Sequence, residues 1–214
     1  AIAGVADEGG KFAMSESEVD ELLEEEFYWP KVGDELFPQG SSPLSAYIPK
    51  NPDVRGYHLT AGYRIAADIL VDQTEEEVWL RDKLVFPILF CYRHFIELTL
   101  KDLLQSYGKL ADIEPNAANH DLDQLWRNFR TLIDRMGDVD ADDGSTPIVE
   151  GWVKEFKKID PLSQAFRYPT GKKGAPFNAV QESIDLVNLQ IIMVKMDTYF
   201  GCVGMWLHSL SDTP

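Results

Sequence analysis

Residues 78–107 read VWLRDKLVFPILFCYRHFIELTLKDLLQSY, and the periodicity of this stretch decides the fold. At 100° per residue, Leu89, Tyr92, Ile96, Leu100 and Leu103 share one face, and Phe95 widens it. Lys83, His94, Glu97, Lys101 and Gln105 fall on the opposite stripe, with Arg93 and Leu98 at its edges. A helix that is apolar nearly all round except for one polar seam belongs at the centre of a helical protein. The seam is either a strip of surface or a set of groups that satisfy one another in a groove. Pro87 lacks the N–H a helix interior needs, so it is expected to kink or split the helix.

Upstream, Ala61, Ile65, Ala66, Ile69 and Leu70 predict a helix from about Thr60 to Val71, and Thr74 with Glu77 has the spacing of a capping box that opens the central helix. Ser15 and Glu18 have the same spacing ahead of a short acidic helix ending near Phe27. Between them lies an irregular stretch through Pro30, Pro38, Gly40, Pro43, Pro49 and Pro52, long enough to be a wrapping arm or a lid. Downstream, Gly108 marks a stop. Leu122, Leu125, Trp126, Phe129, Leu132 and Ile133 predict a helix over 122–136, capped by Asn119 or His120. Thr146-Pro147 opens another, with Pro at the favoured first position, and a final long helix runs from about Asn178 to Leu210. No alternating strand pattern and no fixed repeat is present. The expectation is an all-α helical bundle over 60–214, with an acidic N-terminal helix and irregular arm over 1–59.

Composition bounds the function classes. The chain has 214 residues and 44% hydrophobic content, with five Trp, eight Tyr and eleven Phe, which is a core-forming composition. A net charge of −16 argues against a surface that grips nucleic acid without specificity, because such binding needs a large positive footprint. The charge is uneven: residues 152–174 carry a local balance of +4 from Lys154, Lys157, Lys158, Arg167, Lys172 and Lys173 against Glu155 and Asp160. Cys91 and Cys202 sit in apolar helical context outside any zinc spacing and read as buried free thiols of a reducing compartment. The acidic N-terminus resembles no secretory signal, and the apolar stretch 184–207 is interrupted by Asp185, Lys195 and Asp197, so a cytoplasmic chain with no membrane span is expected.

The seam admits more than one chemistry. Arg93, Glu97 and Lys101 form an i, i+4, i+8 ladder whose pairs contribute about 0.2–0.5 kcal/mol each when exposed. Alternatively, Arg93 and His94 face a cleft and bind an anion or move a proton. His94 and Glu97 at i, i+3 occur once and in the reverse of the order that carboxylate-bridged metal bundles use, so no metal and no cofactor is expected there. His120-Asp121, together with His94 and Asp185, can be aligned with the metal set of an HD-type phosphohydrolase, which gives an enzymatic alternative. Serine elbows, phosphate-binding loops and dinucleotide fingerprints are absent.

The string RHFIELTLKDLL from Arg93, followed by HDLDQLW from His120, resembles the helix pair of HEPN-like proteins, helical bundles of bacterial toxin–antitoxin and phage-defence systems. The segment from Asp160-Pro161 to Phe166-Arg167-Tyr168-Pro169 is similar to a further element of some of them. The resemblance spans roughly 60–210 and implies a homodimeric module that binds RNA, a nucleotide or a protein partner. Active members are metal-independent RNases with an Arg followed by a His after four to six residues. No Arg of this chain stands at that distance before a His, so the resemblance implies a module that is not an active RNase. Arg93, His94, Glu97, Lys101, His120, Arg167 and Tyr168 are the candidate ligand residues, with the two Arg as an anion clamp and Tyr168 as a stacking surface. A purely structural interaction protein, docking through its acidic arm, is the remaining alternative.

Overall fold

The computed structural model of the chain describes residues 30, 32–37, 45–137, 144–161, 163–170 and 183–211. The chain divides into two compact units, 1–47 and 48–214. The described residues of the first form no helix or strand, and the helix expected over 15–27 lies outside the described residues. The second unit is an all-α bundle. Its described residues form five α-helices and two short 3₁₀ turns: α1 (Pro52–Glu76), α2 (Arg81–Tyr107), α3 (Leu122–Met136), α4 (Ser145–Ile159) and α5 (Leu186–Ser211).

Helix α1 begins eight residues before Thr60, because Asn51 caps it: its side-chain oxygen accepts from the N–H groups of Asp53 at 2.8 Å and Val54 at 3.2 Å. Pro52 then takes the first helical position, where its missing N–H costs nothing. Thr74 does not cap the next helix. It is buried inside α1 and donates to the Val71 carbonyl at 2.7 Å, so the apparent capping box is a spacing coincidence. The corner lies at Glu77, with a 3₁₀ turn over Val78–Leu80, and Arg81 Nε reaches back to the Thr74 carbonyl at 3.2 Å. Helix α2 runs on through Pro87 without splitting there; Pro87 sits early in the helix on its exposed side.

Gly108 ends α2, where the chain tightens into the 3₁₀ turn Gly108–Ala111. A Cβ at this position would lie 2.9 Å from the Ile113 carbonyl oxygen, so close backbone approach requires glycine here. Helix α3 is capped by Asp121 rather than Asn119 or His120: Asp121 Oδ1 accepts from Asp123 N at 2.9 Å and Gln124 N at 3.4 Å. Asn119 instead holds the Asp121 N–H, ordering the approach to the cap. Pro147 stands at the third position of α4 and not the first, still within the turn whose N–H groups lack helical partners. Residues 183–185 are not helical, so α5 starts at Leu186, and Asp185 accepts from the Asn188 N–H at 2.9 Å.

The core is one cluster. Ile88, Tyr92, Ile96 and Leu100 of α2 meet Ala67 and Val71 of α1, Leu122, Phe129 and Leu132 of α3, Val149 and Val153 of α4, and Met193, Met196 and Leu207 of α5. Every apolar position expected of α3 is buried. Phe129 makes edge contacts with Tyr199 and Phe200, joining α3 to α5. Tyr92 donates its hydroxyl to Asp68 at 2.7 Å, and burial, then the Asp68 carboxylate, keeps this phenol protonated. Cys202 is exposed and Cys91 only half-buried, against the expectation of two buried thiols; α5 is apolar on its outer side as well as its inner one. Among the described residues no helix is long and apolar enough to cross a membrane.

Candidate functional site

The polar seam of α2 is buried at its centre. Arg93 and Glu97 have no exposed surface, one helical turn apart in the middle of α2. A charged group in that position survives only if its hydrogen-bonding capacity is met. Arg93 Nη1 donates to Glu97 Oε2 at 3.0 Å, Nη2 to the His120 carbonyl at 3.0 Å, and Nε to the Asp160 carbonyl at 3.3 Å. The Asp160 Oδ2, itself buried, opposes the guanidinium at 3.5 Å without a hydrogen bond. One arginine thereby pins three pieces of chain: α2, the loop before α3 and the end of α4.

Glu97 is the second hub. Its Oε1 accepts from Lys101 Nζ at 2.9 Å and pairs with His120 Nδ1 at 2.7 Å. Burial pushes the Glu97 carboxyl up, but the hydrogen bonds from Lys101 and His120 and the charges of Lys101 and Arg93 outweigh it and hold the group below the usual carboxylate range. Lys101 also donates to the Ala117 carbonyl at 2.8 Å, tying down the loop between α2 and α3. Asp160 holds the loop after α4: its Oδ1 accepts from Gln164 N at 2.7 Å and Ala165 N at 3.0 Å. Lys157, one turn earlier, bridges Asp121 at 2.8 Å and the Pro161 carbonyl at 3.0 Å. Arg93, Glu97, Asp160 and Lys101 sum to no net charge, so the network compensates itself.

His120 is the exposed edge of this network. Its side chain is 61% exposed while its Glu97 partner is buried. The Glu97 carboxylate orients the imidazole through its contact at Nδ1.

His94 lies one position round the helix, in an aromatic setting. It meets Tyr63 edge-on at 4.4 Å between centroids and stacks on Phe90 at 5.5 Å. Burial, together with the charges of Lys101, Arg93 and His120 and against that of Glu97, lowers its pKa and favours the neutral ring. Arg167 lies over the same Phe90 ring at 5.6 Å and over Tyr168 at 5.6 Å, and its Nε donates to the Ser163 carbonyl at 2.7 Å. Tyr168 is exposed.

The structure thus gathers Arg93, Glu97, Lys101 and His120 into one network, and sets His94 and Arg167 on the Phe90 ring with Tyr168 beside Arg167. The two Arg do not face one ligand as a clamp: Arg93 is buried and occupied by internal acceptors, because a fully enclosed guanidinium needs them, while Arg167 lies at the surface. Asp160 and Phe90 complete the two groups and were not candidates from sequence. Phe90 stands one turn before His94 and could have been found by that spacing; Asp160 lies 67 residues from Arg93 and carries no such signal. The residues aligned with an HD-type metal set are engaged separately: Asp121 caps α3, Asp185 accepts from the Asn188 N–H at the start of α5 and His94 packs between rings. Among the described residues no group of three or more His, Cys, Asp or Glu could hold a metal ion. No protein-family model, curated protein or solved structure matches the chain.

Proposed function

We propose that the protein is a HEPN-like, non-catalytic binding module of the toxin–antitoxin or phage-defence kind, whose ligand is a nucleotide or the end of a single RNA strand. The observation that carries this reading is the meeting of His94 and Arg167 on the Phe90 ring beside exposed Tyr168. A guanidinium held between rings offers its remaining N–H groups to a phosphate oxygen, and an exposed phenol ring offers a face to a base. Arg93 serves this surface indirectly, by holding the Asp160 loop from which Arg167 and Tyr168 project. The local excess of basic residues over 152–174 of the sequence favours an anionic ligand, while the net charge of −16 disfavours a long, non-specific RNA footprint.

Isothermal titration with adenosine and guanosine monophosphates and with a short single-stranded oligoribonucleotide tests the reading. Binding is expected, weakened about tenfold or more by Arg167→Ala and by Tyr168→Ala, since stacking on one base contributes about 1–3 kcal/mol. The oligoribonucleotide is expected to remain intact. No binding of any of the three, or binding indifferent to both substitutions, would remove the proposal.

A further inference from the structure

A groove of about 610 Å³ lies where α1, α2 and α5 run side by side, within the size range of small-molecule sites. Phe95, Leu103 and Phe200 line it and are buried, so its floor is apolar. Tyr57 and Tyr107 add aromatic lining, and Tyr57 is exposed at the rim. The α5 wall is glycine. At Gly204 the helix packs closely on α2, where a Cβ would lie 3.4 Å from Leu103 Cδ2; at Gly201 nothing stands within 4 Å of a Cβ position, so the wall is open there. Along α1 the groove runs from Asp53 to Arg64, roughly 16 Å at 1.5 Å per residue.

The charged residues of the lining are Asp53, Arg64, Asp102 and Asp197. Arg64 is already answered, by Asp197 at 3.0 Å and Asp68 at 3.5 Å. At the other end, neither the Asp53 nor the Asp102 carboxylate meets a cation among the described residues. Asp53 stands in the first turn of α1, where the helix dipole favours an anion; Asp102, in the last third of α2, has no such support. Burial, then the charge of Asp53, raises the Asp102 carboxyl above its ordinary value, the response of an acid that lacks a counter-ion. Two polar atoms of the wall, Thr99 Oγ1 and Arg64 Nε, are closed off from bulk water without a hydrogen-bond partner, so the wall holds hydrogen-bonding capacity that the protein itself does not use.

We propose that this groove binds an elongated organic amine, with its ammonium group between Asp53 and Asp102 and its apolar body along Phe95 and Phe200. Charge complementarity selects this occupant. An ammonium relieves the repulsion between the two carboxylates, and the faces of Tyr57 and Tyr107 attract a cation further. An anion meets no unpaired cation here, because the one arginine of the lining is held by two aspartates. The site shares no residue with the Arg167 and Tyr168 surface, so the two readings stand or fall separately.

Isothermal titration of the full chain with tyramine tests the site. Tyramine carries an ammonium on a short stem with a phenol at the far end, and 4-hydroxyphenylethanol has the same shape without the charge. Tyramine is expected to bind saturably with a Kd of about 0.1–1 mM, and the neutral analogue about tenfold more weakly or worse. Asp102→Asn is expected to weaken tyramine about tenfold or more, because it removes a charged hydrogen-bond partner. Gly201→Leu builds a side chain into the open wall and is expected to abolish binding with the helical circular dichroism intact, since leucine favours a helix more than glycine does. Glu155→Gln, outside the groove, reports the general attraction of an acidic chain for cations and is expected to change Kd by less than about twofold. The proposal is overturned if tyramine at about 5 mM shows no binding. It is overturned equally if the two probes bind alike, if either groove substitution leaves Kd unchanged, or if Glu155→Gln weakens binding as much as Asp102→Asn.

Discussion

Glu97→Gln tests whether the buried seam is a structural lock. The substitution preserves shape and removes one charge from a site where Glu97 answers Arg93, Lys101 and His120 at 3.0, 2.9 and 2.7 Å. These partners do not suffer equally. His120 is 61% and Lys101 17% exposed at the side chain, so both can turn to water, whereas Arg93 is fully enclosed. Its remaining charge partner is Asp160 at 3.5 Å, with the His120 and Asp160 carbonyls. Breaking a buried pair from one side costs about 3–5 kcal/mol, and the surviving partners place this case near the lower end, about 3 kcal/mol. For a chain of this size that corresponds to roughly 6–12 °C in Tm. Lys101→Met, which takes away a partly solvated partner, is expected to cost under about 1 kcal/mol. Urea unfolding followed by circular dichroism at neutral pH measures both. The pH dependence gives a further signature. The folded-state pKa of Glu97 is depressed, so its stabilisation is fully present above the ordinary carboxylate value of 4.5 and is lost as pH falls through the folded value. Glu97→Gln should therefore approach the wild-type stability as the solution is acidified below that point. If Glu97→Gln costs less than about 1 kcal/mol, or if Lys101→Met costs as much as Glu97→Gln, Arg93 does not control the energetics and the reasoning fails.

Two other outcomes follow from local geometry. His94 titrates below its ordinary value of 6.5, so its contribution is complete above that pH and declines as the solution is acidified toward the folded value; His94→Phe, which keeps the ring between Tyr63 and Phe90, should flatten the stability profile between pH 6.5 and that value, and parallel profiles for the two proteins would contradict the assignment. Gly108→Ala should destabilise by about 1–3 kcal/mol through the 2.9 Å approach to the Ile113 carbonyl, whereas Gly62→Ala, with open space around it in α1, should stabilise by about 0.5–1 kcal/mol; thermal unfolding of the pair checks the contrast, and equal effects would show that backbone crowding at Gly108 is relieved.

How much was legible differs from element to element. Helix α3 was read in full, down to its six buried residues, because a strong 3.6-residue alternation of apolar and polar positions leaves one face to bury. Helices α1 and α5 were read as helices but not at their starts. Asn51 and Asp185 cap them, and a short polar residue before a helix is indistinguishable in sequence from the many short polar residues of loops. Thr74 and Glu77 illustrate the converse: the correct spacing for a cap, placed inside α1 by packing that buries Thr74.

The sequence by itself determined that the chain is helical, that α2 is its centre and that one polar seam runs along it. Those are local properties, set by periodicity within about thirty residues. Only the tertiary structure decided what the seam is for. It closes Arg93 and Glu97 away from water and brings to them a carboxylate and a carbonyl from Asp160, 67 residues distant. It sets Arg167 over the Phe90 ring that His94 stacks upon. It leaves one apolar face of α5 toward the core and the other toward solvent. A helix that is apolar nearly all round carries no internal record of which side its neighbours will take; that choice belongs to the packing of the whole bundle.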